Sequence, residues 1–119
     1  MNTEFEAIFY DKADGTQPAR VFLKSLDDDM RLKMGYIIYM LQCNGPDLRE
    51  PYSKHLSDGI FELRAKRGSD ITRVLYFFFV GKKIVITNGF IKKTDKTPPG
   101  EIATAKKYRV EYLNRKENK

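Results

Sequence analysis

Residues 60–98 constrain the fold of this chain more than any other stretch of its sequence. Three apolar runs of strand length follow one another there, and two short turns containing glycine and charged residues separate them. Each tight turn brings the next run back beside the previous one, so the segment is typical of an antiparallel meander. The pattern predicts strands at 60–66, 71–80 and 84–91.

The residues before the meander predict one further strand and a pair of helices. Alternating polarity indicates a strand at 4–10, and Pro18 suits the first turn of a helix that ends near 25–27. Apolar residues spaced three and four apart over 30–41 form one face of a second helix. One of the three aspartates at 27–29 is expected to cap that helix, and an acidic metal site is the alternative interpretation.

The remaining segments complete a β-α-α-β-β-β-α order. Residues 47–58 are polar and predict an irregular connection, whereas the proline pair at 98–99 predicts the start of a last helix. In that helix Arg109 interrupts the apolar face, so it either pairs with an acidic residue or points toward a ligand. The tail at 115–119 is expected to fray. We predict one α+β domain over 1–119, with a small, mainly antiparallel, twisted sheet and its helices against one face.

Charge and composition narrow the class of protein. The 119 residues carry a net charge of +6, which favours an acidic partner such as nucleic acid or the ribosome. A single cysteine and a single histidine exclude an internal disulfide and a Cys/His metal cluster, so no cofactor is expected. No apolar run is long enough to cross a membrane, and the first residues do not resemble a signal peptide. We therefore expect a cytoplasmic protein without membrane contacts.

The positive charge is concentrated in the meander and the last helix. A sheet with an apolar interior and cationic rims is suited to bind a polyanion. The residues predicted to contact RNA or the ribosome are Lys66, Arg67, Lys82, Lys83, Lys96, Lys106, Lys107 and Tyr108. Charge alone does not identify the polyanion.

Residues suited to cleaving RNA occur in and beside the meander. The 2′-hydroxyl of RNA is itself the nucleophile, so a protein needs only to hold the phosphate, accept one proton and donate another. The candidates for these roles are Arg73, Glu62, Arg64, Lys92, Lys93 and His55. Arg73 could bind the phosphate through two nitrogens, and either Glu62 or His55 could act as the base. Each candidate also has an ordinary interpretation, as a neutralised surface charge, a loop residue or a solvated lysine.

Four parts of the sequence resemble the RelE/ParE toxin superfamily. They are DGIFELR at 58–64, Arg73, IVITNGF at 84–90 and IKKTDKTPPGEIATAKK at 91–107. The combination is most similar to the HigB-like, phage-derived Gp49-like branch of type II toxin–antitoxin systems. The resemblance implies a RelE-like fold with an N-terminal helical hairpin and a C-terminal helix. It also implies a toxin that cleaves mRNA on the ribosome without a metal, inhibits translation and arrests growth.

The same resemblance implies partners and residue roles. The partners are a helix-turn-helix antitoxin, the ribosome and mRNA, with the toxin either monomeric or held in a toxin–antitoxin hetero-oligomer. Arg73 matches a phosphate-stabilising arginine, and Arg64 matches a basic strand position. Lys92 or Lys93 matches a basic residue after the last strand.

One departure from the superfamily concerns catalysis. Glu62 stands where RelE carries a catalytic lysine, and the last helix contains tyrosines but no histidine. The resemblance therefore does not identify the general acid and base. Two alternatives to the nuclease stay open: a gyrase-poisoning, ParE-like binding toxin, and a non-catalytic, phage-derived nucleic-acid-binding protein.

Overall fold

The computed structural model describes residues 2–117 as a five-stranded sheet with three helices. The strands are β1 (Glu6–Phe9), β2 (Ser53–Ser57), β3 (Ile60–Arg67), β4 (Asp70–Phe79) and β5 (Lys83–Lys92). The helices are α1 (Pro18–Ser25), α2 (Asp28–Asn44) and α3 (Pro99–Glu117), and a 3₁₀ turn (Gly45–Asp47) follows α2. The predicted α+β class is confirmed, and every predicted strand and helix is present. Within residues 2–117, no helix combines the length and apolarity needed to span a bilayer.

The sheet is mixed, with the strand order β1-β5-β4-β3-β2. Strands β2 to β5 pair antiparallel in chain order, as tight turns between consecutive strands require. Strand β1 lies parallel to β5, with Glu6 opposite Lys83 and Phe9 opposite Ile86. This pairing is possible because the α1–α2 hairpin lies between β1 and the rest of the sheet in the sequence, and parallel strands need such a long connection.

Strand β2 lies where the sequence predicts an irregular connection at 47–58. That prediction is wrong over Ser53–Ser57, which pairs antiparallel with β3. The strand has a weak sequence signal because it forms the edge of the sheet, where most of its side chains are not buried. Ser53 is the buried exception, and its hydroxyl is hydrogen-bonded to the hydroxyl of Tyr76 on β4.

The helices cover both faces of the sheet, so the prediction that they lie against one face is wrong. On one face, Met34 of α2 belongs to the same apolar cluster as Val74 of β4. On the other face, Tyr112 of α3 clusters with Leu75 and Phe77 of β4. Successive residues of a strand point to opposite faces, and those of β4 are apolar on both. Burying this strand therefore requires a cover on each side.

The α1–α2 hairpin is held by features that the sequence predicts in part. The Asp27 carboxylate accepts a hydrogen bond from the Met30 N–H at 2.9 Å, so the capping interpretation of the acidic run is confirmed. Helix α1 approaches β5 at Gly89, where the ring of Phe22 occupies the space that a Cβ would need. A residue with a side chain at this position would push α1 off the sheet.

Helix α3 continues through residues that the sequence predicts to fray. It runs to Glu117, and the last two residues of the predicted tail lie outside the described part of the chain. Arg115 explains the extension. Its Nη1 lies 3.6 Å from the Asp11 carboxylate, and its guanidinium carbon lies 5.3 Å from the ring centroid of Tyr10.

Candidate functional site

Charged side chains gather on the face covered by α3, near the end where that helix begins. The strand register places Arg64 opposite Arg73, and Arg73 opposite Phe90, so these three side chains share one face. Glu62 lies two residues before Arg64 on β3 and therefore points the same way. Farther along the same face, Phe77 packs among apolar residues under α3. This face thus has an apolar half and an ionic half.

Glu62 and Arg73 are joined through Thr97 in a buried chain of hydrogen bonds. Both Glu62 and Arg73 are 0% exposed. The Thr97 hydroxyl donates to Glu62 Oε1 at 2.6 Å, and Arg73 Nη1 donates to Thr97 Oγ1 at 3.2 Å. Arg73 Nη1 also lies 4.0 Å from Glu62 Oε1. Burial lowers the pKa of the Arg73 guanidinium, and the nearby Glu62 carboxylate opposes that shift.

Arg64 links this buried pair to the surface. Its Nε lies 3.3 Å from Glu62 Oε2, and its Nη2 lies 3.2 Å from Asp95 Oδ1. Among the described residues, Glu62 Oε2, Arg64 Nε and Arg73 Nε are buried without a hydrogen bond of good geometry. The contact between Arg64 and Glu62 is therefore ionic rather than a directional hydrogen bond. We call Glu62, Arg64, Arg73 and Thr97 the ionic cluster.

The loop 93–98 covers the ionic cluster. Strand β5 ends at Lys92 and α3 begins at Pro99, so the chain must cross this end of the sheet between them. In crossing, the Thr94 carbonyl accepts a hydrogen bond from Arg73. The interpretation of Glu62 as a surface charge is consequently wrong, because this loop and α3 bury the face that alternation along β3 leaves open. Arg73, predicted to hold a phosphate, donates its hydrogen bonds to the loop.

Exposed lysines surround the covering loop. Lys92 and Lys93 follow each other at the end of β5, and Lys96 lies on the loop itself. Lys66 is at the matching end of β3, since the register aligns it with Ile71 of β4 and, through that residue, with Lys92. None of these four lysine ammonium groups forms an ion pair within residues 2–117, so their charge is open to a partner.

Lys54 is a further cation at this site, and the sequence interpretation missed it. It lies opposite Glu62 in the β2–β3 register, on the same face of the sheet. Together with Lys96 and Thr97 it lines a groove of about 210 Å³. The interpretation of 47–58 as irregular hid this residue. The Asp58–Gly59 dipeptide could have revealed strand β2, because an Asp-Gly pair between two strand-length runs is typical of a β-hairpin.

His55 lies apart from the ionic cluster. The register pairs it with Phe61, on the face opposite to Glu62, and the two rings meet edge-on with centroids 5.0 Å apart. Its Nε2 accepts a hydrogen bond from the Gly59 N–H at 3.2 Å. The structure thus brings Glu62, Arg64 and Arg73 together but turns the imidazole of His55 away from them.

Two arginines, one at the end of β3 and one on α3, are neutralised within the chain. Arg67 is bonded to Asp27 through both terminal nitrogens, and the pKa of Asp27 is lowered to about 2, chiefly by this interaction. Arg109 Nη2 lies 3.0 Å from the Asp58 carboxylate. Of the two interpretations of Arg109, pairing with an acidic residue is therefore confirmed.

The other predicted RNA contacts are spread over the molecule. Lys82 and Lys83 lie at the opposite end of the sheet from the ionic cluster, where each forms an ion pair with a glutamate near β1. On α3, Lys106 Nζ donates to a serine hydroxyl at 3.2 Å, and Lys107 is exposed. Tyr108 stacks on another tyrosine ring at a centroid distance of 4.5 Å. The structure does not unite these residues with the loop 93–98.

A sequence model of a known protein family matches most of the chain. The sequence model of the family described as "Phage derived protein Gp49-like" matches residues 21–110. The matched stretch runs from α1 into α3, so it includes the whole ionic cluster and the loop that covers it. No curated protein matches the chain significantly.

Proposed function

Because the chain belongs to the phage-derived Gp49-like family, which is of the RelE/HigB-like toxin type, we propose that it cleaves mRNA on the ribosome as a type II toxin. One observation supports the cleavage step: exposed, unpaired lysines surround a buried ionic cluster. These lysines are Lys54, Lys66, Lys92, Lys93 and Lys96, and we call them the lysine band. A band of this kind attracts a polyanion, and the cluster beneath it supplies guanidinium and carboxylate groups.

The proposed reaction uses the RNA's own nucleophile, so it proceeds without a metal. The 2′-oxygen attacks the adjacent phosphorus while its proton passes to a base, for which Glu62 is the candidate that lies beside Arg64 and Arg73. The bond from phosphorus to the 5′-oxygen breaks as that oxygen takes up a proton, which leaves a 2′,3′-cyclic phosphate. Arg64 and Arg73 stabilise the charge on the phosphate. For Arg73 this requires its bonds to the loop 93–98 to be exchanged for phosphate oxygens.

The remaining cations form a wider rim for the ribosome in this proposal. Lys92 and Lys93 lie where β5 passes into the covering loop, and they contact the mRNA phosphates. Residues farther away contact ribosomal RNA: Arg67, Lys82, Lys83, Lys106, Lys107 and Tyr108. The proposed protein partner is a helix-turn-helix antitoxin.

Induced expression without an antitoxin tests the activity. We expect growth arrest together with mRNA cut inside codons, mapped by sequencing of RNA ends. The double substitution Lys92→Ala and Lys93→Ala should reduce both effects, because it removes two charges beside the site. Arg20→Ala with Lys24→Ala is the matched control, since it removes two exposed charges from α1 and should leave both effects intact. Intact mRNA during a clear growth arrest would refute the nuclease.

A second candidate is a binding toxin that acts on gyrase. The observation in its favour is that Glu62 and Arg73 are joined through Thr97 under the loop 93–98, where Arg73 has no exposed surface. A binding toxin needs no catalytic group, so a buried pair at this position would not impair it. DNA breaks with uncut mRNA after induction would identify this function.

A further inference from the structure

Helix α2 carries an apolar stripe on the side turned away from the sheet. Leu32 is 74% exposed and Tyr36 is 64% exposed, and Tyr39 is exposed farther along the helix. The spacings of four and three residues place these side chains in one row. The rings of Tyr36 and Tyr39 lie side by side, with centroids 6.5 Å apart. Single exposed apolar residues are ordinary, but a row of them is typical of a surface that another molecule covers.

Gly35 borders this stripe in the interior of α2, and packing within the chain does not require a glycine there. A Cβ placed on Gly35 would meet no atom within 4 Å. Glycine is less favourable than alanine inside a helix, so it does not benefit the isolated protein. What it does provide is a notch beside Leu32 and Tyr39, where the backbone of a second molecule can approach closely.

A groove of about 440 Å³ lies next to the stripe, where the neighbouring α2 residues Lys33 and Ile37 meet the edge of the sheet. Lys33 and Ile37 of α2 line one side of it, and Tyr52, Arg64 and Lys66 are among the residues that line the rest. Lys33 Nζ donates to the backbone carbonyl of Lys66 at 2.7 Å, which fixes one cation at the junction of helix and sheet. The groove has three cations and a single carboxylate, together with apolar side chains.

We propose that the stripe and the groove, together the α2 surface, dock an acidic amphipathic segment of a partner protein. Apolar side chains of that segment cover Leu32 and Tyr36, and its carboxylates face Lys33, Arg64 and Lys66. Charge complementarity selects this occupant over a second copy of the chain, because each copy carries a net charge of +6 and would present like charges.

The proposed function supplies the identity of this partner, which is then the antitoxin. Arg64 both lines the groove and contacts Glu62, so a segment in the groove reaches one member of the ionic cluster from the edge of β3. Its carboxylates would compete there with the phosphates of RNA. The docking inference thus also explains how binding on α2 neutralises a site on the sheet.

A binding measurement with matched variants tests this surface. The probe is the helix-turn-helix antitoxin that the proposed function expects beside this gene, purified and titrated with the full chain in a calorimeter. Leu32→Lys with Tyr36→Lys places two ammonium groups on the stripe and should weaken binding at least about tenfold. Val80→Lys with Val110→Lys makes the same change at two exposed valines elsewhere and should bind like the wild type. Both double variants should still arrest growth when expressed alone.

Gly35→Ala provides a second test that does not depend on a drastic substitution. It should raise the unfolding midpoint, because alanine favours the helix, and weaken binding, because the methyl group fills the notch. Equal binding by the wild type and the Leu32/Tyr36 variant would overturn the proposal. So would a wild-type chain that does not bind the probe, or a wild-type dimer that the Leu32/Tyr36 variant abolishes in sedimentation. If the chain binds through this surface but does not arrest growth, the proposed toxin function is refuted while the proposed docking surface stands.

Discussion

The two faces of the sheet are both closed by helices, yet they enclose different interiors. Under α1 and α2 the buried cluster is hydrophobic, with Met34 and Leu63 among its members. Its Tyr76 adds a hydroxyl that is hydrogen-bonded to Ser53. Under α3 the interior changes from Phe77 and its apolar neighbours to the fully buried pair of Glu62 and Arg73. Apolar burial stabilises regardless of which neighbour is present, whereas a buried charge depends on its partner. The faces should therefore respond differently to substitution.

The largest expected effect on stability comes from removing the carboxylate of the ionic cluster. Glu62→Ala leaves two guanidinium groups without their shared carboxylate, one of them fully buried, and should lower the free energy of unfolding by about 3–5 kcal/mol. Urea unfolding measures this change. Glu62→Gln is the control, since it keeps an acceptor for Thr97 and removes only the charge. A loss below about 1 kcal/mol for Glu62→Ala would show that the pair does not depend on mutual neutralisation.

A cavity in the apolar face should have a comparable but slightly smaller effect on stability and none on chemistry. Met34→Ala removes a fully buried side chain and should lower the free energy of unfolding by about 3 kcal/mol. Growth arrest per amount of folded protein should stay at the wild-type level, because no group of the ionic cluster changes. If activity per folded molecule fell as far as in Glu62→Ala, the division of roles between the faces would be wrong.

Tyr76 gives the face under α1 and α2 a buried ionisable group, so the stability of this face can be measured as a function of pH. Burial raises its pKa to about 12, and the hydrogen bond with Ser53 opposes that shift. The folded state therefore binds the phenolic proton more tightly than the unfolded state, so stability falls as the pH rises from 10 to 12. The expected loss is on the order of 2 kcal/mol. Tyr76→Phe should flatten this part of the stability curve in urea unfolding at several pH values, and an unchanged slope would contradict the prediction.

The smallest effect on stability is expected at the exposed ion pair of Asp27 and Arg67, which joins the start of α2 to β3. The interaction with Arg67 lowers the pKa of Asp27 to about 2, so the folded state keeps the carboxylate ionised at lower pH than the unfolded state. Its contribution to stability is present above about pH 4 and is lost as the pH falls toward 2. Asp27→Asn should show a shallower acid loss in thermal unfolding. A curve identical to that of the wild type would mean that solvent screens the pair completely.

Local patterns predicted most of the fold. The meander at 60–98, the start of α1 at Pro18 and the cap of α2 at Asp27 all appear as expected, because turns, proline and capping side chains act over a few residues. Strand β2 was not predicted, because its backbone pairs with β3 and few of its side chains are buried. The candidate site was likewise predicted only in part. Its residue types were recognised, but the arrangement of Glu62 and Arg73 depends on a loop that follows them by more than twenty residues.

The sequence by itself determined that the three strands of the meander pair in chain order and which of their faces are apolar. Alternation along β4 already requires burial on both sides, because both sets of its side chains avoid water. Only the tertiary structure decided what covers each face. Whether Glu62 is a solvated charge or a buried one depends on where the loop 93–98 and α3 lie, and no local pattern encodes that position. The same packing leaves Leu32 and Tyr36 of α2 uncovered, although their spacing matches that of a core-facing stripe.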